Sequence, residues 1–183
     1  MILTVDEYRQ FDPLPGEPDF LIASKLKAIE QIVRSYTNNR FTVKDMNVYA
    51  DIRGSVFISE ELIPFHPGDT VLVTGSRMNN GLYTVRESDD NTFCVEENTE
   101  GMHDAGTVTK VRYPEAIRMG VVNMMKWEFR QREKMGIQSE KISRHEVNYA
   151  DPNNIHQRFG YPDYLTSFMA PFKKARFGDG DAE

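Results

Sequence analysis

The sequence predicts an α+β protein: a small α-helical bundle with an inserted antiparallel β module (barrel or sandwich) and a C-terminal docking segment. Three observations predict it. Apolar residues recur at helical spacing in 17–40 and again in 113–136. Between these stretches the helical period vanishes, and short β-branched runs alternate with turn residues. After 150 a proline-bounded aromatic stretch closes the chain. The expected divisions are 1–40 and 113–150 for the two parts of the bundle, 41–112 for the inserted β module and 151–183 for the docking segment.

In the N-terminal part, Thr4 and Glu7 have the spacing of a capping box, so a short helical turn is expected over 4–10 before Pro13, Pro15 and Gly16 break it. The next helix starts near Pro18. Ile22, Leu26, Ile29, Val33 and Tyr36 fall on one stripe, with Lys27, Glu30, Gln31 and Arg34 expected to face away and Asn38-Asn39 to stop the helix. In the β module, Pro67-Gly68-Asp69 precedes a strand over 70–74, and Asn79-Asn80-Gly81 precedes one over 82–85. The turn 88–91 precedes a strand over 92–95, and 105–112 gives the last. The stretch 41–63 has room for further strands of undefined register. Several short strands at this spacing fit a small barrel or sandwich.

The helix opened by Pro114 and closed by Gly136 has two apolar stripes. Ile117, Val121, Met124 and Met125 form one; Met119, Val122 and Phe129 form the other. A helix apolar on two sides is covered on two sides. The cover is either its own domain or a neighbouring subunit. Beyond a polar, partly extended stretch ending at Tyr149 and a turn at 151–154, Pro162 starts a short helix carrying Tyr161, Leu165, Phe168 and Phe172 on one side. Pro171 ends it, and Lys173, Lys174 and Arg176 follow. A helix of about ten residues is marginal alone in water and needs a surface to dock on, in its own bundle or on a partner.

Composition narrows the function. The chain has 183 residues and a formal charge of −6, which disfavours tight binding of duplex nucleic acid over its whole surface. Cys94 is the only cysteine, so an intrachain disulfide and a thiolate cluster are excluded; in its strand it reads as a small buried hydrophobe. The start of the chain lacks the pattern of a signal peptide, and no apolar run nears the roughly 20 residues needed to span a bilayer. A reducing cytoplasm, or a particle assembled there, is the expected setting. His66, His103, His145 and His156 are far apart and without ligand spacing. The loop Gly75 to Gly81 lacks the Gly-Lys-Ser/Thr ending of a phosphate loop and reads as a hairpin loop. No catalytic, metal or cofactor residue is expected. The acidic residues Glu87, Asp89, Asp90, Glu96, Glu97, Glu100 and Asp104 read as a solvated face. If such a face lined a DNA channel, Asp89, Asp90, Glu96 and Glu97 would repel phosphates and keep DNA mobile.

Certain stretches and their order resemble the head–tail connector (adaptor) family of long-tailed bacteriophages. The resemblance is strongest from Gly120 to Tyr149: a helix with Lys126-Trp127 ending in the charged run Arg130 to Gly136, then Ser139-Glu140-Lys141-Ile142 and Val147-Asn148-Tyr149. Phe159-Gly160-Tyr161-Pro162 before a proline-broken helix, and Asn38-Asn39-Arg40-Phe41 after the second helix, are similar too. The stretch Gly68 to Val85 looks like a β module of phage structural proteins. The simplest family members are all-helical, so this module is a departure.

The resemblance implies a non-enzymatic virion protein of the neck, assembled in the host cytoplasm. It implies a homo-oligomeric ring of about twelve copies beneath the portal protein, joined on its far side to the next neck or head-closure component, with packaged DNA passing through unbound. It makes Tyr161, Tyr164, Leu165, Phe168, Phe172, Lys173, Lys174 and Arg176 the portal-docking element. Met119, Val122 and Phe129 become the inter-subunit face. Two other readings are another neck or tail-completion protein and a nucleic-acid-binding β barrel. The latter would need basic residues and exposed aromatics on one sheet face.

Overall fold

The computed structural model describes residues 1–101, 103–130, 139–142, 145–148 and 157–175. The fold is α+β: four α-helices among the described residues, and a closed barrel of six antiparallel strands. The chain divides into two compact units. Met1 and Arg40–Tyr113 form the barrel unit; Ile2–Asn39 and Pro114–Glu183 form the helical unit.

The barrel strands are β1 (Thr42–Arg53), β2 (Val56–Ile58), β3 (Thr70–Thr74), β4 (Gly81–Ser88), β5 (Thr92–Val95) and β6 (Asp104–Val111). Their order around the wall is β1-β2-β5-β4-β3-β6, and β6 closes back on β1 with Val48 opposite Val108. The undefined stretch 41–63 thus supplies both β1 and β2, joined by a turn at Gly54, whose φ of 58° suits glycine. Period-two alternation sends Val48, Ala50 and Ile52 inward from β1, to meet Phe57, Val71, Val73, Tyr83, Val85, Phe93, Val95 and Val108. Phe57 stacks on Phe93 with ring centroids 4.7 Å apart, and Phe65 meets Phe93 edge-on. The same alternation puts Phe93 and Val95 inside and leaves Cys94 half-buried on the outer side, a correction to its expected place in the core. Closure leaves every barrel strand paired on both sides, so no edge is free to template another chain.

The helical unit begins with α1 (Val5–Phe11), capped as the spacing predicts: Thr4 Oγ1 accepts from the Glu7 amide and Glu7 returns a carboxylate to the Thr4 amide. Helix α2 spans Asp19–Thr37 and α3 Glu115–Arg130. The expected continuation of α3 to Gly136 lies outside the described residues, as do the turn at 151–154 and Arg176. Ile22, Leu26, Ile29 and Val33 are buried along α2 as expected, and Tyr36 is half-buried. Glu30, expected to face away, is buried at 5 % exposure. At about 100° per residue it sits only about 20° beyond Thr37, itself fully buried, so it borders the buried stripe.

After α3, β7 (Ser139–Ile142) and β8 (His145–Asn148) pair as a hairpin. Then β9 (Gln157–Arg158) and β10 (Tyr161–Pro162) make a second one. Its turn residues, Phe159 and Gly160, both have positive φ, the signature of the tight turn that matches strand twist. The helix expected after Pro162 is shorter than its aromatic spacing suggests. Helix α4 covers only Asp163–Thr166 and passes into a 3-10 segment, Ser167–Phe172. Pro171 has no amide to close an α-helical bond and its ring opposes the preceding turn, which favours the tighter coil.

Candidate interaction surface

Residues 157–175 form a strap that lies along α2 and α3, within the helical unit. Tyr161 is its deepest aromatic. Its ring lies 5.3 Å from that of Trp127, and its hydroxyl donates to Glu128 Oε1 at 2.6 Å. Glu128 is itself buried, and Lys25 reaches its other oxygen at 3.1 Å. A carboxylate this far from water is stable only when partnered, so the bond to Tyr161 fixes the strap and helps satisfy the α3 charge together.

Farther along, Phe168 lies over Gly120. A β-carbon there would fall inside the contact distance of the Phe168 ring, so the missing side chain is what makes the notch. The strap's end is held by backbone groups left over at the end of α2. The Lys174 amide donates to Thr37 O at 2.7 Å, Asn39 Nδ2 to Phe172 O and Asn38 Nδ2 to Ala175 O. These orphan carbonyls and polar stop residues are common helix-end chemistry. Tyr36 is gripped from the strap on several sides: Arg158 donates to its hydroxyl at 2.7 Å, Lys173 Nζ sits 5.3 Å from its ring centre, and Phe159 meets it edge-on. Thr166 and Met169 are fully buried.

The residues expected to dock on a partner therefore separate into two sets. Tyr161 is committed to its own helices. Leu165, Phe168 and Phe172 are half-buried. Tyr164 is 66 % exposed, and Lys173 and Lys174 also face solvent. Phe159, not among the expected residues, is exposed as well. The outward chemistry of the strap is aromatic and basic.

The expected inter-subunit stripe is divided by the structure. Val122 is fully buried in the helical unit and is withdrawn from that face. Phe129 is half-buried beneath the Lys25 ammonium, 5.3 Å from its ring centre. Met119 alone of the three stays open, at 43 %. The reason is angular. Buried positions of α3, from Trp127 and Gly120 through Ile117 and Val121 to Met125 and Val122, cover about 220° of its circumference. The remaining arc carries Met119, Asn123 and Arg130. The Arg118–Glu7 and Arg130–Asp12 ion pairs tie α1 to this helix, at 2.9 and 2.5 Å.

The acidic residues of the barrel do not form one face. Asp89 and Asp90 sit exposed at the β4–β5 turn, while Glu96 and Glu97 follow β5, a strand of four residues and about 13 Å, at its other end. Glu97 is spent on its own strand, accepting from the Thr84 amide and hydroxyl. Asp104 is likewise structural. It accepts from Ser76 Oγ, the Arg77 and Met78 amides, Asn79 Nδ2 and the Ala105 amide, knitting the loop after β3 to the start of β6. The Ser76 hydroxyl and these amides hold its carboxyl far below the usual carboxylate range. Asp89 and Asp90 have neighbours that sequence reasoning missed. Ser59 and Ile63 amides bond to the carbonyls of Asn91 and Asp90, bringing exposed Glu60 and Glu61 to the same end, beside Leu62 at 74 % exposure. No local pattern could have signalled this, because the two loops are about thirty residues apart.

Among the described residues, no group of three or more His, Cys, Asp or Glu is placed to hold a metal, and no helix is long and apolar enough to cross a membrane. No protein-family model and no curated protein matches this sequence.

Proposed function

We propose that the chain is a structural subunit of a bacteriophage neck, a head–tail connector that assembles as a ring beneath the portal protein and extends the DNA channel toward the next neck component. It works mechanically, with no catalytic step, in a particle put together in the host cytoplasm. The order of the motifs supports this reading. The observation that carries it is the strap: its inner side chains are buried against α2 and α3, so it holds its shape, while Tyr164, Lys173 and Lys174 are left outward. Aromatic and basic groups on a firm support are what an interface anchor needs. The barrel's acidic balance favours the connector over a nucleic-acid-binding module: seven Lys and Arg stand against twelve Asp and Glu between Arg40 and Tyr113. A wall of that sign lets duplex DNA slide without adhering.

The test is binding to the cognate portal protein. Tyr164→Ala with Lys174→Glu removes outward groups only, so the fold should persist while portal affinity falls by at least about tenfold. Unchanged affinity in a folded variant would remove the strap from the portal contact.

A further inference from the structure

We propose that the groove between α2 and α3, which this chain fills with its own strap, is also the docking site for the strap of a second copy, so that neighbouring subunits join by exchanging residues 157–175. The inference rests on the ring reading and gives it an interface. The chemistry of the occupant is already on the page, because the strap itself is the ligand. Tyr161 bonds Glu128 and covers Trp127, Phe168 enters the notch at Gly120, and Thr37 O, Asn38 and Asn39 grip the end. A second copy brings the same groups to the same partners, so exchange needs no new interface.

Chain length permits it. Residues 131–156 separate α3 from the strap, far more than the 2–8 residues that usually join neighbouring helices. With the β7–β8 hairpin formed, the eight residues on either side of it can still span about 55 Å together. That reach serves a groove on a neighbour as well as one at home. The contact is also directional: each copy gives a strap on one side and receives one on the other. Such heterologous contacts generate rings when the rotation closes. Tyr164 and Lys174 stay outward in either arrangement, so portal docking and exchange use different sides of the strap.

The experiment uses two full-length, differently tagged chains, co-expressed, both carrying Cys94→Ser. One carries Asn39→Cys beside the groove and the other Lys174→Cys on the strap. A bismaleimide of about 8 Å reach can couple them only across two chains, since neither holds two thiols. The expected result is a covalent heterodimer. Adding Gly120→Ala to the groove-bearing chain should reduce its yield at least fivefold, and the same change in the strap-bearing chain should not. If native mass spectrometry finds a ring and no heterodimer forms, exchange is refuted and the ring reading stands. Heterodimer without a closed ring keeps exchange and removes the ring. Absence of both overturns exchange and the ring together.

Discussion

The barrel and the helical unit solve the same problem of burying apolar surface by opposite routes. The barrel takes its core from the continuous stretch Arg40–Tyr113, where alternation along each strand and closure of β6 on β1 decide what is inside. The helical unit is assembled from the two ends of the chain. Helices α1 and α2 precede the barrel, α3 follows it, and Tyr161, Thr166 and Met169 arrive from the strap after a further interval. The barrel's core is therefore independent of the chain's far ends. The helical unit depends on a segment that is chemically a ligand, which is why that unit is the natural place for contacts between molecules.

This difference can be broken or sharpened by four changes, taken from the largest effect down. Phe57→Ala removes a fully buried ring stacked between Phe93 and Tyr83, and should cost about 3–5 kcal/mol of barrel stability in urea denaturation followed by fluorescence. Tyr161→Phe keeps the ring on Trp127 but withdraws the donor from Glu128. A loss of about 1–2 kcal/mol is expected, read as faster hydrogen exchange in the strap with the barrel unaltered. Equal protection in strap and barrel after that change would contradict the contrast drawn here. Gly120→Ala sets a gain in helix propensity of about 1 kcal/mol against about 1–3 kcal/mol of overpacking under Phe168. The net loss of about 1 kcal/mol should appear as easier proteolysis of the strap.

Acid gives the smallest effect. Asp104 has its folded-state pKa depressed, so its stabilisation is present above the ordinary aspartate value of about 3.9 and is lost as pH falls below it. In the helical unit, burial pushes the Glu7 carboxyl up, but the Thr4 backbone bond and Arg118 outweigh it and hold it below the usual value. Its contribution has the same sign. Thermal melts from pH 5 down to pH 3 should therefore fall for the wild type and flatten for Asp104→Asn. Parallel profiles would show that Asp104 is not the titrating group.

Much of the fold was legible because short-range rules govern it. The capping box at Thr4 and Glu7, the stripe on α2 and the strands at 70–74 and 92–95 each follow from a local pattern. What could not be read depends on distant neighbours. The β1–β2 pair needed β5 and β6 to define its register. Val122 looked like an outward stripe because spacing alone cannot tell how much of α3's circumference its own unit covers. The strap was visible as a segment that must dock, and Gly120 was visible only as a glycine in a helix. Their meeting joins residues nearly fifty positions apart. Asp104 and Glu97 looked like members of a solvated cluster because a carboxylate's amide partners leave no trace in composition.

The central claim is that this chain is a ring subunit that meets the portal through its strap. Native mass spectrometry of the full-length protein, alone and mixed with its cognate portal protein, tests it most directly. The account predicts a closed ring, or a stoichiometric complex with the portal, in either case lost on deletion of residues 157–183. A folded chain that stays monomeric at every concentration and does not associate with the portal would contradict it.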